Sequence, residues 1–324
     1  MTMSDNRIQE LSTWLRQECG IDGELRPLSG DASFRRYYRV GTVIAVDSDP
    51  ATQKNREYCE LNERLHQAGI PTFAILRHDL GRGFFVIEDL GDDLLFSLWD
   101  SPERLQLYRK AIALLPSVAH LSTQGLPPFD HEFIMGELAL FEEWLLEKTL
   151  HHQVTRQEGY ILQHVFMVLA QNCADQPQVA MHRDYHSRNL LVRDEKIWVL
   201  DYQDMVCGPC LYDLASLLYD CYVSFEPEDC RELQNFAFRV YADLGLLDNL
   251  SSENFIYQMR LTAMQRHIKV LGLFCRLAVR DRKPEYMQHL PRVLDYVLDA
   301  CDCDELFADF KEFLCTEVRG RLPT

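Results

Sequence analysis

The segment MHRDYHSRNLLV carries oxygen-bearing side chains at a spacing suited to the transfer of a phosphoryl group. Asp184 is followed five residues later by Asn189, and Asp201 comes twelve residues after Asn189, beyond an apolar stretch. A carboxylate at Asp184 can orient an acceptor hydroxyl and take its proton, because phosphoryl transfer depends mainly on positioning and charge neutralisation. Carboxylate and amide oxygens are ligands that suit Mg²⁺. We therefore predict a catalytic role for Asp184 and an Mg²⁺ site at Asn189 and Asp201.

The elements that must position these residues divide the chain into two regions. The first 90 residues alternate strand formers with turns, and from Ser101 onward long amphipathic periods dominate, around 102–122, 136–150 and 154–172. We predict an α+β fold of two lobes, a small β-rich N-lobe over residues 1–90 and a larger, mostly helical C-lobe over 91–324.

The composition narrows the class of protein. The 324 residues include 33 basic and 50 acidic side chains, a formal net charge of −17, which argues against a nucleic-acid-binding protein. The 11 cysteines are odd in number and irregularly spaced, as expected of reduced thiols. The polar start lacks the apolar core of a signal peptide, and no run of 18 uncharged apolar residues occurs. We expect a soluble, cytoplasmic monomer without a membrane or nucleic-acid partner.

Three stretches, HRDYHSRNLL, LDYQD and GPCLYDLASLL, resemble the aminoglycoside phosphotransferase/choline kinase-like superfamily of small-molecule kinases. That superfamily shares its two-lobe fold with protein kinases, so the resemblance implies a protein-kinase-like fold with ATP and Mg²⁺ as cofactors. It also implies that His186 and Asp213 support the catalytic loop. We expect His182 to pack beneath the same loop.

The likeness extends over most of the chain. GDASFRRYYRV, LDYQD and QRHIKVLGLFCRLAVRDRKPEY are most similar to a bacterial branch that phosphorylates the anomeric hydroxyl of N-acetylmuramate and N-acetylglucosamine in peptidoglycan recycling. The resemblance implies an amino sugar kinase that forms a sugar 1-phosphate. Two alternatives stay open: a kinase for another small-molecule hydroxyl, such as an aminoglycoside or an amino alcohol, and a catalytically silent nucleotide-binding module.

The resemblance implies that the first region holds ATP. The loop 28–34 would cover the phosphates with its backbone N–H groups, and the segment after the apolar run 84–87 would hydrogen-bond adenine through its backbone. The candidate nucleotide-binding residues are Gly30, Asp31, Ser33, Arg35, Arg36, Glu88 and Leu90.

One departure from the family pattern concerns the phosphate clamp. The strand 43–47 lacks the lysine that kinases of this fold usually carry there. Arg35 or Arg36 could supply the missing charge, and the alternative is that both are solvated on an edge strand. The helix glutamate that would pair with this cation is Glu57 or Glu60.

A basic segment is the candidate for recognising the acceptor. Residues 260–283 include seven basic side chains and one acidic side chain. Arg266 and Lys269 share a helical face and could bind the lactyl carboxylate of N-acetylmuramate, or this face could simply be solvated. Asp204 could hydrogen-bond sugar hydroxyls or have only a structural role in a turn.

The motif Cys207-Gly-Pro-Cys210 matches the redox dithiol of thioredoxin. Its late position in the chain, and Val206 where thioredoxins usually carry Trp, argue against a redox function. We interpret Gly208 and Pro209 as a turn before a helix that starts near Tyr212.

Overall fold

The computed structural model describes residues 3–28, 35–243, 245–247 and 250–323. The strands are β1 (Arg26–Pro27), β2 (Arg36–Val40), β3 (Val43–Asp47), β4 (Ile75–Asp79), β5 (Phe84–Glu88), β6 (Gln178–Met181), β7 (Leu190–Arg193), β8 (Lys196–Val199) and β9 (Val206–Pro209). The α-helices are α1 (Met3–Trp14), α2 (Asn55–Gln67), α3 (Arg104–Ala119), α4 (His131–Leu140), α5 (Arg156–Ala174), α6 (Tyr212–Leu218), α7 (Pro227–Asp243), α8 (Ser252–Val279), α9 (Leu290–Cys301) and α10 (Ala308–Phe313). Short 3₁₀ and π-helical segments extend or join several of these helices.

The chain forms two compact units. The first comprises the described residues up to Leu94 together with Leu190–Gln203, and the second comprises Leu95–Asn189 and the described residues from Asp204 onward.

The first unit is built on a five-stranded antiparallel sheet in the order β1-β2-β3-β5-β4. Consecutive side chains of a strand point to opposite faces of the sheet, so Phe84 and Phe85 pack on opposite sides of it. Phe84 packs against Trp14 of α1 with 5.8 Å between ring centroids, and Phe85 packs against Tyr58 of α2 with 5.5 Å. The predicted β-rich first region is confirmed.

The hairpin of β7 and β8 belongs to the first unit, although its sequence lies within the region predicted as the C-lobe. The N–H of Val199 donates to the carbonyl of Pro71 (2.8 Å), and the hydroxyl of Thr72 donates to the carbonyl of Val199 (2.7 Å). The side-chain amide of Asn62 donates to the hydroxyl of Tyr202 (2.8 Å). These bonds satisfy buried polar groups that the hairpin would otherwise leave unpaired.

The second unit is mostly helical, as predicted. The 28-residue helix α8 runs through its core and packs against α4, α5, α6 and α9. Gly272 of α8 lies directly against the backbone at Leu140 and Phe141, where α4 ends. A glycine permits this approach because it has no Cβ. Within the part of the chain that the structure describes, no helix is both long and apolar enough to cross a membrane.

The interpretation of the CGPC motif as a turn was wrong. Val206–Pro209 form β9, which pairs antiparallel with β6 so that Met181 lies opposite Val206. Gly208 is needed there because a Cβ would lie 2.9 Å from the Met181 side chain and 3.0 Å from Cβ of Phe129. Proline is tolerated at the end of such a two-stranded ribbon, where its missing N–H costs no ladder bond. The ribbon fixes the point from which the loop around Asp184 leaves β6.

Candidate active site

The loop that carries Asp184 begins at the end of β6 and is held from α6. The carboxylate of Asp213 accepts hydrogen bonds from the backbone N–H groups of His182 (2.6 Å) and Arg183 (2.8 Å). Arg183 has a φ of 78°, a left-handed conformation that costs energy for a residue other than glycine. The two bonds to Asp213 stabilise this conformation, and burial raises the pKa of the Asp213 carboxyl. Through these two hydrogen bonds Asp213 joins α6 to the start of the loop.

A second carboxylate, which was not predicted from the sequence, holds the other end of the loop. Asp220 is buried and accepts from the N–H groups of Ser187 (2.9 Å) and Tyr222 (2.8 Å). The carbonyl of Ser187 in turn accepts from the N–H of Phe96 (3.0 Å). Asp220 could have been noticed from its place in the apolar run LYDLASLLYDCYV. An acidic residue among so many apolar ones is expected to be buried and therefore to need a hydrogen-bond partner.

The carboxylate of Asp184 keeps access to solvent and lies beside a buried cation. Its side chain is 36% exposed, and its Oδ1 lies 3.5 Å from a terminal nitrogen of Arg266, whose side chain is only 4% exposed. Burial of the surrounding loop would raise the pKa of Asp184. The positive charges of Lys269, Arg266 and Arg183 outweigh this effect and hold the pKa well below its ordinary value. Asp184 is therefore an ionised hydrogen-bond acceptor at neutral pH.

A buried carboxylate on α4, Glu137, balances the cations beneath this loop. It accepts from Arg183 (2.6 Å) and Gln265 (3.3 Å), and the ammonium of Lys269 lies 3.4 Å away. Burial would raise the pKa of Glu137, and the charges of Lys269 and Arg183 more than offset this and lower it. Glu137 was not predicted from the sequence, because a glutamate in an amphipathic helix is usually solvated.

The alternative of a solvated helix face for Arg266 and Lys269 is wrong, since they are 3% and 4% exposed. Each lies beside a carboxylate of the same unit, Asp184 for Arg266 and Glu137 for Lys269. An acceptor carboxylate would have to compete with these internal partners. Arg266 and Lys269 therefore pair with carboxylates inside this unit. Asp204, the other candidate for binding the acceptor, is exposed on a 3₁₀ turn.

The two histidines of the loop are buried. The His186 ring packs edge-on against Tyr222 with 5.4 Å between centroids, and burial lowers the pKa of His186 to about 4. His186 is thus neutral at neutral pH and does not add positive charge to the site. His182 packs against Tyr185 at 5.8 Å, beneath the loop.

The two expected metal ligands have oxygen atoms suited to Mg²⁺. The amide nitrogen of Asn189 donates to the carbonyl of Asp184 (3.0 Å), which fixes the amide so that its oxygen is the end directed away from that bond. Asp201 follows β8 with a φ of 59°, and its Oδ1 accepts from Gln203 (2.6 Å). Asn189 belongs to the second unit and Asp201 to the first. The amide oxygen of the one and the carboxylate of the other are each hard donors of the kind that Mg²⁺ prefers.

In the first unit, the two arginines expected near the phosphates have different surroundings. Arg35 is buried, its Nε donates to the Ser48 hydroxyl (3.1 Å), and its guanidinium lies over the Tyr58 ring at 4.5 Å. Arg36 pairs across the ladder with the buried carboxylate of Asp47. The alternative that both are solvated on an edge strand is wrong, because β2 lies between β1 and β3 and Arg35 is 5% exposed.

The residues expected to bind adenine, Glu88 and Leu90, lie at the end of β5 and just beyond it. The N–H of Glu88 donates to Ala74 (2.9 Å) and its carboxylate accepts from Arg193 (2.8 Å). Leu90 is buried, and none of the described residues accepts a hydrogen bond from its N–H. Glu57 and Glu60 are both exposed on α2. Gly30, Asp31 and Ser33 lie outside the described residues.

Known proteins resemble this chain in sequence and in structure. Residues 24–247 match the phosphotransferase enzyme family. An N-acetylmuramate/N-acetylglucosamine kinase of Pseudomonas aeruginosa is 30% identical, with 98% of this chain and 99% of that protein aligned. A protein of the same name from Neisseria meningitidis is 32% identical over 85% of each chain.

Solved structures support the fold. The aminoglycoside phosphotransferase APH(2'')-Ib with bound ADP superposes with a TM-score of 0.62 at 13% identity, covering 89% of this chain and 97% of that one. A choline/ethanolamine kinase family protein from Mesorhizobium loti gives 0.62 at 15% identity, covering 97% of each. The predicted kinase-like fold is confirmed. With the family model matching more than half of its length, the chain belongs to the phosphotransferase enzyme family.

Proposed function

We propose that this chain is an ATP-dependent kinase that phosphorylates the anomeric hydroxyl of N-acetylmuramate and N-acetylglucosamine to the sugar 1-phosphate in peptidoglycan recycling. The observation that carries the proposal is the alignment of 98% of the chain with a relative named for these two sugars. We also propose that it acts as a monomer in the cytoplasm. All eleven cysteines lie within the described residues and none forms a disulfide, which suits a reducing compartment.

Asp184 is the proposed catalytic residue. Its carboxylate accepts a hydrogen bond from the anomeric hydroxyl and takes the proton as that oxygen bonds to the γ-phosphorus of ATP and the bond to the β-phosphate oxygen breaks. Because its pKa is held low, Asp184 is a weak base and its first contribution is to orient the hydroxyl. The proton moves to the carboxylate late in the transfer, once the oxygen has become acidic.

The remaining residues of the candidate site would bind the donor and a metal. Asn189 and Asp201 would hold Mg²⁺, which when bound neutralises charge on the phosphates. The backbone of Glu88 and Leu90 would hydrogen-bond adenine, with the N–H of Leu90 as donor. Arg35 or Arg36, near the phosphate-covering loop in sequence, would supply the positive charge that a lysine provides in other kinases of this fold.

The test is ³¹P NMR of the products formed from MgATP with N-acetylmuramate, N-acetylglucosamine or an aminoglycoside in separate reactions. We expect a sugar 1-phosphate signal with the two amino sugars. Asp184→Asn should lower kcat by about 10²- to 10⁴-fold, the usual contribution of a general base, while ATP binding persists.

Asp194→Asn is the matched control, since Asp194 is an acidic residue with 81% of its side chain exposed in the β7–β8 turn. It should leave kcat unchanged. Transfer to the aminoglycoside alone would contradict the proposed acceptor, and ATP binding without any transfer would favour the silent nucleotide-binding module.

A further inference from the structure

Arg266 lies in a fully buried stretch of α8. Every residue from 261 to 272 is buried, so this part of the helix is enclosed by the rest of the second unit. The side chain of Arg266 is only 4% exposed. A side chain on such a helix is placed more precisely than one on a loop, because packing fixes both its backbone and its rotamer.

The guanidinium of Arg266 lies against the carboxylate of Asp184. One terminal nitrogen is 3.5 Å from Oδ1 of Asp184, and the other donates at 3.5 Å to the sulfur of Cys221, which is a weak acceptor. Within the part of the chain that the structure describes, no atom accepts a hydrogen bond from its Nε, and Asp184 is the one carboxylate at ion-pair distance. Asp184 is therefore the principal anionic partner of this buried cation.

The stability of the fold gives a poor account of this arrangement. A buried cation that is incompletely paired costs folding free energy, and an apolar side chain of similar volume is often as stable or more stable. Lys269, on the same helix face, differs because its partner Glu137 is buried with it and only 7% exposed. The partner of Arg266 is 36% exposed. Arg266 thus extends from the core to a carboxylate that reaches solvent.

The backbone of the loop is fixed without Arg266. Asp213 accepts from the N–H groups of His182 and Arg183, and Asn189 donates to the carbonyl of Asp184. These backbone contacts leave the carboxylate of Asp184 able to rotate about its side-chain torsions. A contact from α8 restricts that rotation, and misplacing a catalytic group by about 1 Å can cost about 100-fold in rate.

We propose that Arg266 is a positioning residue for phosphoryl transfer: it holds Oδ1 of Asp184 from α8, so that Oδ2 orients the acceptor hydroxyl and takes its proton. The inference rests on the proposed function and deepens it. It gives Arg266 a role through Asp184 rather than through the lactyl carboxylate of the acceptor. The role is therefore the same for N-acetylmuramate and for N-acetylglucosamine.

The test is a double-mutant cycle on kcat, with N-acetylglucosamine as the acceptor because that sugar carries no carboxylate. The variants are Arg266→Met, Asp184→Asn and the two combined. Arg266→Met should lower kcat by about 10- to 100-fold and change KM by less than about threefold. In the Asp184→Asn background the same change should lower kcat by less than about threefold, because residues that act as a unit are non-additive.

Arg266→Lys is a second variant, for the case in which methionine at this buried position prevents folding. Lysine keeps the charge but lacks the planar fork, so kcat should still fall, and again only where Asp184 is present. Arg260→Met is the matched control, since Arg260 lies on the same helix and donates to the carbonyl of Asp299 (3.0 Å) at an exposed position. It should change neither kcat nor KM.

Three outcomes would overturn the inference. Equal fold-losses of kcat with and without Asp184 would assign Arg266 a purely structural role. A KM that rises for N-acetylmuramate alone would mean that Arg266 binds the acceptor carboxylate directly. Undiminished kcat in both Arg266 variants would mean that Asp184 needs no support from α8.

Urea denaturation of the wild type and the three variants of the cycle separates this inference from the proposed function, because it needs no acceptor. Contact between Asp184 and Arg266 should make the double variant less destabilised than the sum of the single variants. Strict additivity would overturn the inference whatever the acceptor is. A wild type that phosphorylates neither sugar but shows this coupling would refute the proposed function and still support the hold of Arg266 on Asp184.

Discussion

The ammonium nitrogen of Lys269 lies 3.4 Å from a carboxylate oxygen of Glu137, and the two side chains are 5% and 7% exposed. The same carboxylate accepts a hydrogen bond from Arg183, the residue directly before Asp184. Glu137 thus compensates cations whose field keeps Asp184 ionised. The arrangement links the stability of the helical unit to the chemistry of the loop.

Replacing Glu137 with glutamine should destabilise the protein strongly. The change leaves Lys269 and Arg183 buried without their counter-charge, and breaking a buried pair in this way typically costs about 3–5 kcal/mol of the free energy of unfolding. Urea denaturation followed by circular dichroism measures the loss.

The double variant Glu137→Gln/Lys269→Met provides the control. Because methionine removes the uncompensated ammonium, the double variant should be less destabilised than the sum of the two single variants, by about 1 kcal/mol or more. Strict additivity would show that the two charges do not interact.

His267 should make the free energy of unfolding fall as the pH drops below about 6.5. It is buried, its Nε2 donates to the Tyr219 carbonyl (2.8 Å), its ring stacks on Tyr296 at 5.0 Å, and burial lowers its pKa to about 3. Between these pH values the unfolded chain binds a proton that the folded chain excludes, so acid favours unfolding by up to about 1.4 kcal/mol per pH unit.

The measurement is the free energy of unfolding at several pH values between 7 and 5, in the wild type and in His267→Gln. The variant should lose less stability than the wild type over this interval. His164→Gln, at an exposed position of α5, is the control and should follow the wild type. Parallel curves for the wild type and His267→Gln would contradict the assignment.

Gly272→Ala should be destabilising even though alanine is the better helix former. The new Cβ would overlap the carbonyl of Leu140, a backbone group that cannot rotate away. Overpacking of this kind costs about 1–3 kcal/mol, more than the helix propensity of alanine returns. Gly136→Ala in α4 is the matched control, since nothing lies within 4 Å of a Cβ at that exposed position. It should raise the free energy of unfolding by about 0.5–1 kcal/mol. Thermal melts of both variants provide the measurement, and a Gly272→Ala variant that melts above Gly136→Ala would contradict the prediction.

Local patterns predicted the parts of the structure that depend on neighbouring residues. The spacing of Asp184 and Asn189 sets one loop, and the amphipathic periods gave the helices of the second unit. Contacts between distant residues were not predictable in this way. Glu137 and Gln265 are separated by 128 positions, and nothing in either local pattern names the other as its partner.

Two interpretations drawn from local sequence failed for the same physical reason. Gly208 and Pro209 favour a turn in isolation, but in the fold they lie in β9, which pairs with β6. The alternative of a solvated helix face for Arg266 and Lys269 failed because both cations are buried beside carboxylates from other elements, Asp184 and Glu137. In each case a tertiary partner outweighed the local preference.

The membership of Leu190–Gln203 in the first unit has a consequence for how the protein is made. Residue 94 leaves the ribosome long before residue 190. Roughly another hundred residues must therefore be synthesised before Pro71 and Thr72 can form their hydrogen bonds with Val199. Until then the apolar surfaces of the N-terminal region are available to chaperones. A polypeptide cut after residue 94 would lack these partners permanently, so the first unit is expected to mature only after the Leu95–Asn189 part of the second has been synthesised.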